Sequence, residues 1–162
     1  MQEDFKNIDR SSLPYREAVV GIIVDNLNNF LLIQSVYFNE DEWRFAGGEV
    51  KESEDLGSAL MRGLEEELGT RNFEIVAKSS FKKQYEWPEN VIKRHYQKSK
   101  KMFRGQAQNQ YLLRFKSKPG EIIPNPDEIR EVKWVSLEEL PEHLIFPNQW
   151  EEAKRVIEEL LV

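Results

Sequence analysis

The stretch GEVKESEDLGSALMRGLEEELGT, which spans residues 48–70, holds the features that decide the fold of this chain. Its leucines recur at every fourth position, which places them on one face of a helix and predicts that this face is buried. They are Leu56, Leu60, Leu64 and Leu68. Ser53 is a suitable N-cap, and Gly69 is a suitable C-terminal stop. We therefore expect a helix from about Glu54 to Leu68.

The charged residues of this stretch have the character of a metal site. Glu66 and Glu67 are adjacent acids near the end of the predicted helix, and carboxylates are the oxygen ligands that Mg²⁺ and Mn²⁺ prefer. Arg62 is spaced to pair with Glu66 one turn away and with Glu54 at the start of the helix. Gly47 lets a backbone carbonyl approach a cation without a side chain in the way. Taken alone, the pattern is more typical of an ordinary surface helix with ion pairs.

The spacing of these residues separates the two interpretations. The stretch closely resembles the Nudix motif, in which Gly, five residues, Glu, seven residues and then Arg-Glu-aliphatic-any-Glu-Glu-any-Gly follow in order. The matching positions are Gly48, Glu54, Arg62, Leu64, Glu66, Glu67 and Gly69. Thr70 replaces a usual aliphatic residue, and Trp43–Gly48 looks like the lead into the motif. The resemblance implies an α/β fold: a Nudix-type α/β/α sandwich with a mixed β-sheet, a loop-helix motif and a C-terminal helix.

One position departs from the motif. Gly63 stands where the family has Glu directly after Arg, and in many members that Glu is a metal ligand or the general base. Glycine provides neither function, and it costs a helix about 1 kcal/mol relative to alanine. Three interpretations stay open: another residue is the base, the enzyme is slow or inactive, or position 63 has been substituted. We expect activity that is reduced at neutral pH and improves at alkaline pH.

A second resemblance narrows the class. Tyr15-Arg16, the segment Tyr85–Pro88 and the strand-like Gly105–Phe115 look like dinucleoside polyphosphate hydrolases and bacterial RNA 5′-pyrophosphohydrolases. The segment Pro126–Ile129 is similar to the late acidic motif of that subgroup. There a Glu joins the metal site, and Glu128 is the matching position. The resemblance covers most of residues 15–161.

These resemblances imply a role for each set of residues. The implied metal ligands, for Mg²⁺ or Mn²⁺, are the Gly47 carbonyl, Glu66, Glu67 and Glu128. The three acids are also the catalytic candidates. The implied substrate-binding residues, each of which also has a reading as a solvated charge or a packing residue, are Arg16, Arg44, Lys93, Arg94, Arg104, Gln106, Gln108 and Tyr111. The structural positions of the motif are Gly48, Glu54, Arg62, Gly63 and Gly69. His95 and His143 are expected at the surface, with no catalytic role.

Patterns elsewhere predict the remaining elements. The runs Ala18–Val24 and Phe30–Tyr37 indicate a hairpin, since both are apolar and a turn rich in Asn separates them. Further strands are expected at Phe73–Phe81, Ala107–Phe115, Glu121–Ile123 and Val132–Val135, and an amphipathic helix at Asn148–Leu161. Lys82–Arg104 is basic and poor in aliphatic residues, which predicts a long loop that is either functional or disordered. We expect a flexible lead over residues 1–14 and a single domain over residues 15–162.

Composition excludes several classes of protein. The 162 residues contain no Cys, which excludes a disulfide scaffold, a thiolate zinc site and a cysteine nucleophile. The net charge of −6 argues against broad binding to duplex DNA. Apolar runs are too short to cross a membrane, and the polar, acidic N-terminus does not look like a secretory signal. We expect a soluble, cytoplasmic protein. The sequence does not indicate its oligomeric state.

Charge is unevenly distributed, and this bears on function. Seven acids lie between Glu49 and Glu67, whereas Asn90–Gly120 contains none and carries nine Lys or Arg. The sequence therefore favours a Mg²⁺-dependent pyrophosphohydrolase that acts on a nucleoside polyphosphate, either a dinucleoside polyphosphate or an RNA 5′ end. The alternatives are a Nudix-fold module that binds such a ligand without cleaving it, an isomerase of the isopentenyl diphosphate type, disfavoured by the lack of Cys, and a house-cleaning mononucleotide hydrolase.

Overall fold

The computed structural model describes residues 9–161, in which six strands form a mixed sheet. The strands are β1 Tyr15–Val24, β2 Phe30–Ser35, β3 Ala46–Glu49, β4 Phe73–Glu86, β5 Gly105–Phe115 and β6 Ile129–Val135. The α-helices are α1 Leu56–Leu68, α2 Glu89–Ser99, α3 Leu140–His143 and α4 Gln149–Leu160. Short 3-10 helices lie at Arg10–Ser12, Pro119–Glu121 and Leu137–Glu139.

The order of the strands is β4-β5-β1-β2-β6, with β3 paired to β1. The β1–β5 pair is parallel and the others are antiparallel, which makes the sheet mixed as predicted. β1 and β2 pair at Val24 and Phe30, next to the turn of the predicted hairpin. β3 pairs with β1 further back, from Ala18 to Gly21. The segment that leads into α1 is therefore hydrogen-bonded to the middle of the sheet.

Alternation along the strands builds two cores. On one face, Val19 and Ile23 of β1 pack in a cluster with the buried leucines of α1. On the other face, Ile22 and Val24 pack in a cluster with Val156 and other residues of α4. Side chains alternate between the faces of a strand, so one apolar run supplies both cores. The outcome is the predicted α/β/α sandwich.

Helix α1 forms for the reasons that the sequence indicated, with a different cap. Leu60, Leu64 and Leu68 are fully buried, and Leu56 is partly buried against the same cluster. The predicted cap at Ser53 is wrong, because Ser53 adopts a positive φ of 67° and the Asp55 side chain accepts from Ser58 N instead. The helix accordingly begins at Leu56.

Two other predicted elements are wrong. Lys82–Arg104 is not a long loop, because β4 pairs with β5 as far as Glu86 and is followed by α2. Of the side chains in α2, only that of Ile92 is buried. Glu121–Ile123 is not a strand: a 3-10 helix covers Pro119–Glu121. Gly47 and Gly48 lie within β3.

Residues 1–8 of the predicted flexible lead lie outside the described residues. Within the described part of that lead, Arg10–Ser12 forms a 3-10 helix and Arg10 donates to the Trp87 carbonyl. Among residues 9–161, no helix has the length and apolar character needed to cross a bilayer.

Candidate active site

The C-terminal end of α1 brings the acidic loop before β6 next to the Nudix-like motif. Gly69 ends the helix in the left-handed region, with φ of 73°. The N–H of Asn125 donates to the Glu67 carbonyl at 3.0 Å, and the N–H of Ile123 donates to the Leu68 carbonyl at 2.8 Å. These bonds satisfy carbonyls that a helix end leaves open. They also hold the loop that carries Glu128 against the end of α1.

Glu67 is the most enclosed acid of the site, with 7% of the residue exposed. Its Oε1 accepts from the Gly47 N–H at 2.8 Å, and its Oε2 accepts from Arg44 Nη2 at 2.8 Å. A carboxylate removed from water needs both hydrogen bonds and a countercharge. Gly47 of β3 donates the hydrogen bond, and Arg44 provides the countercharge.

Arg62 organises the loop between β3 and α1. Its guanidinium donates to both oxygens of Glu54, at 2.8 and 3.0 Å, and to the Glu49 carbonyl at 2.7 Å. It also donates to both oxygens of Glu66 at 3.1 Å. The bond from Arg62 holds the pKa of Glu54 down to about 2. Arg62 and Glu54 therefore join loop to helix, as predicted, and Glu66 lies on their exposed side.

The negative charges of Glu66 and Glu67 act on Glu128. Partial burial raises the pKa of Glu128, and the negative charges of Glu67 and Glu66 raise it further. Even so, within residues 9–161 no three His, Asp or Glu side chains are close enough together to hold a metal ion. Arg44 and Arg62 hold Glu67 and Glu66 in this arrangement. The donor chemistry, oxygen atoms with a surplus of negative charge, fits a hard divalent cation.

Gly63 faces the backbone of β3 at close range. A Cβ at position 63 would lie 3.1 Å from the Gly47 oxygen, 3.1 Å from the Gly48 Cα and 3.2 Å from the Gly48 nitrogen. The position that lacks the family's Glu is thus directly beside the carbonyl that was predicted to bind metal. Gly47 has its own requirement for glycine, since a Cβ there would lie 2.1 Å from the Val19 oxygen.

A cleft of about 650 Å³ adjoins the loop between β3 and α1. Its lining includes Arg16 near the start of β1, Glu49 at the end of β3 and Lys51 just after it, His95 of α2, and Lys101 beyond α2. Arg16 pairs with the Glu49 carboxylate at 3.6 Å, and the Glu49 carbonyl is the one that Arg62 binds. Arg62 therefore connects the cleft, through Glu49, to Glu66 of α1.

Arg16 is held by a network inside the cleft. Its Nε and Nη2 both donate to Gln106 Oε1, its Nη1 lies 3.1 Å from His95 Nε2, and its guanidinium stacks 5.1 Å above the Trp87 ring. Burial lowers the pKa of Arg16, although the carboxylate of Glu49 opposes this effect. The planar guanidinium is thereby fixed in one orientation.

The remaining predicted substrate-binding residues lie in different surroundings. Arg94 stacks on Tyr37, Arg104 pairs with Glu86 and stacks on Tyr15, and Gln108 is 3.5 Å from the Tyr85 hydroxyl. Lys93 is a partly buried residue of α2. The prediction for Tyr111 needs correction. This residue is 7% exposed and belongs to the core on the α1 face, because β5 directs it inward beside Leu113.

Sequence reasoning missed His95 and Glu49. The expectation that His95 is a plain surface residue is wrong, because it is partly buried beside Trp87 and Arg16. Burial and the charge of Arg16 lower the pKa of His95. The sequence carries only a weak signal for α2. Arg94 and Lys98 are four positions apart, as on one face of a helix, but the scarcity of aliphatic residues in this segment favoured a loop. His143, which was likewise expected at the surface, is also partly buried: its ring packs edge-on against Trp43, and its nitrogens lie beside Lys133 and the Glu139 carbonyl.

Comparison with known proteins identifies the family. The family model described as "NUDIX domain" matches residues 14–160, nearly the whole chain. This chain belongs to the Nudix family. The expectation from residues 48–70 is confirmed, and with it the assignment to the Nudix hydrolases.

Relatives of this Nudix protein agree with the subgroup that the sequence indicated. An "RNA pyrophosphohydrolase" from Pelagibacter ubique is 30% identical over 159 residues, covering 94% of this chain and 98% of the relative. A Caenorhabditis elegans Ap4A hydrolase structure has a TM-score of 0.63 at 17% identity, covering 89% and 98% of the two chains. A Francisella tularensis NMN adenylyltransferase/ADP ribose pyrophosphatase, complexed with AMP and a Mn ion, has a TM-score of 0.61 at 20% identity, covering 98% of this chain and 46% of the other. These two structures support the fold alone.

Proposed function

We propose that this Nudix protein hydrolyses a pyrophosphate bond in a nucleoside polyphosphate, with the 5′-triphosphate end of RNA as its foremost substrate and dinucleoside polyphosphates as the next. The name of the Pelagibacter relative supports the RNA end. The observation that carries the proposal is the connection between the cleft and the acids: Arg16 pairs with Glu49, and Arg62 joins Glu49 to Glu66. A polyanion in the cleft would lie beside oxygen ligands suited to Mg²⁺ or Mn²⁺.

Each residue of the site has its own proposed role. Glu66, Glu67, Glu128 and the Gly47 carbonyl would hold the divalent cation, which supplies positive charge at the reacting phosphate and activates water. Arg16, oriented by Gln106 and Trp87, binds the phosphates. With no carboxylate at position 63, the proton of the attacking water would pass to Glu128, Glu67 or bulk solvent, which is less efficient than transfer to a dedicated base. Arg62 and Glu54 keep the loop in register with α1.

A second candidate function is a module that binds the polyphosphate without cleaving it. Gly63 favours this function, because its position beside the Gly47 oxygen carries no carboxylate. Under this alternative Arg16 and its neighbours still bind the ligand, while turnover is absent.

Product analysis tests both functions. The chain is incubated with Mg²⁺ or Mn²⁺ and with 5′-triphosphorylated RNA, diadenosine tetraphosphate or nucleoside triphosphates. The Glu66→Gln variant is assayed in parallel under the same conditions. Cleavage that Glu66→Gln abolishes supports the hydrolase and names its substrate class. No cleavage, together with tight binding of one member of the panel, supports the binding module. Cleavage that survives in Glu66→Gln contradicts the proposed role of the motif acids.

A further inference from the structure

The pairing of Arg44 with Glu67 poses a specific question, because this acid is a proposed metal ligand. Both oxygens of Glu67 are engaged, one by the Gly47 N–H and the other by Arg44 Nη2, each at 2.8 Å. The residue is almost fully buried. A buried carboxylate without a countercharge is strongly unfavourable. Arg44 therefore supplies, in this arrangement, the positive charge that a divalent cation would supply at the same oxygen.

Arg62 and Arg44 differ in how many acceptors hold their side chains. Arg62 keeps two acceptors, Glu54 and the Glu49 carbonyl, even if Glu66 turns away to a cation. Within residues 9–161, Glu67 is the one carboxylate in salt-bridge reach of Arg44, whose other bond is to the carbonyl of its neighbour Phe45. One third of the Arg44 side chain is exposed. Arg44 can leave Glu67 without breaking a second ion pair.

The surroundings of Arg44 indicate where its charge would act after such a move. Arg44 is connected to the cleft through Glu67 and β3: Glu67 accepts from the Gly47 N–H, and β3 ends at Glu49, a residue that lines the cleft. The charge of Arg44 also contributes to the lowered pKa of Arg16. Two guanidinium groups repel each other unless an anion lies between them. A polyphosphate in the cleft provides that anion, and it would be contacted by both arginines.

We propose that Arg44 is an exchangeable countercharge: it neutralises Glu67 in the metal-free protein, a divalent cation displaces it, and it then binds the phosphates of the substrate. This inference rests on the proposed function, in which Glu67 is a metal ligand. Arg44 and the cation compete for the same carboxylate oxygen, so Arg44 weakens metal binding in the absence of substrate. Coupling between two sites is reciprocal, so substrate phosphates that hold Arg44 away from Glu67 strengthen metal binding.

Titration with Mn²⁺ alone, followed by the EPR signal of the free ion, tests the competition without substrate or turnover. Arg44→Gln removes the competing charge, and we expect its Kd for Mn²⁺ to fall about fivefold or more, within the range usual for coupled sites. Lys116→Gln, which breaks an exposed pair with Glu74, makes the same change in net charge as a control. Its Kd should stay at the wild-type value. An unchanged or weaker Kd in Arg44→Gln overturns the exchange and leaves Arg44 as a structural partner of Glu67.

Two further variants keep the test independent of folding and of the proposed function. Arg44→Lys retains the charge, so its Kd should stay near the wild-type value even if Arg44→Gln is poorly folded by circular dichroism; a Kd lowered as far as in Arg44→Gln contradicts the exchange. In a Glu67→Gln background, Arg44→Gln should no longer alter Mn²⁺ binding. If neither the wild type nor Arg44→Gln binds Mn²⁺, the metal-dependent function itself is wrong. If the wild type binds Mn²⁺ and cleaves RNA while Arg44→Gln keeps its Kd, only the exchange is wrong.

Discussion

Gly63 of α1 and Gly48 of β3 touch through their backbones: a Cβ on either residue would lie 3.1 Å from the Cα of the other. A helix can approach a strand this closely only where side chains are absent from both. The contact places position 63 beside the Gly47 oxygen. The missing acid of the motif and the close packing of α1 on β3 are therefore one structural feature.

Gly63→Glu should raise the rate of cleavage of 5′-triphosphorylated RNA by about 100-fold, the usual contribution of a positioned general base. The new carboxylate would extend from a Cβ that lies beside the Gly47 oxygen. Steady-state kinetics with Mg²⁺ at pH 7 measures the effect. As the pH rises, the advantage over the wild type should shrink, because hydroxide replaces the missing base.

Gly63→Ala is the matched control. It introduces the same Cβ without a carboxylate, so turnover should stay at the wild-type level. Its stability should change by about 1 kcal/mol at most, since the gain in helix propensity opposes crowding against the β3 backbone. Equal rates in the Glu and Ala variants would show that a base at position 63 is not what limits this enzyme.

Glu66→Gln and Glu67→Gln should separate activity from stability. Both should lose nearly all turnover, because each removes a proposed metal ligand. Glu67 is buried and bonded to Arg44 and the Gly47 N–H, so Glu67→Gln should also lower the free energy of unfolding by about 1–3 kcal/mol. Glu66 is half exposed, and its variant should unfold within about 0.5 kcal/mol of the wild type. Urea denaturation compares them. A stability loss of the same size in both variants contradicts the structure.

Glu54 should contribute stability that depends on pH in an acidic window. Its pKa is lowered from 4.5 to about 2, first by the bond from Arg62 and then by the Lys51 N–H. A group with a depressed pKa in the folded state stabilises fully above its unfolded pKa and loses that effect as the pH falls through the folded value. The stability difference between wild type and Glu54→Gln should be constant from pH 7 to about 5.5 and shrink steadily between pH 4.5 and 2. Urea titrations across this range measure it, and a difference that grows on acidification would contradict the assignment.

Arg16→Lys should raise KM for a polyphosphate substrate by about tenfold, which corresponds to about 1.4 kcal/mol, with a smaller effect on kcat. Lysine cannot reproduce the double donation to Gln106 or the planar stack on Trp87. Loss of binding that is equal in ground state and transition state appears in KM. Arg114→Lys is the control, because Arg114 donates to the Asp25 carbonyl beyond the opposite end of β1. An unchanged KM in Arg16→Lys would remove Arg16 from the substrate-binding set.

Local patterns predicted the parts of the fold whose periodicity is strong. The spacing of four between leucines fixed the buried face of α1, and the β-branched run fixed β1. The prediction for Lys82–Arg104 was wrong because polar and charged residues together make up most of the end of β4 and most of α2. β4 continues to Glu86 through backbone bonds to β5, and those bonds do not depend on side-chain hydrophobicity. Helix α2 buries only Ile92, so it carries almost no apolar signal.

The sequence by itself determined the family, through the resemblance of residues 48–70 to the Nudix motif, and that resemblance implied the sandwich of helices on a mixed sheet and the acids of the motif. Periodicity within short segments determined the buried face of α1 and the strand β1. Only the tertiary structure decided which of the charged and polar side chains contact each other. Arg44 and Glu67 are 23 positions apart and Arg16 and His95 are 79 apart. The first pairing depends on how the segment before β3 meets α1, and the second on how β1 meets α2. The burial of Tyr111 and the contact between Gly48 and Gly63 were decided in the same way, because exposure and backbone distance are properties of packed elements and not of a sequence pattern.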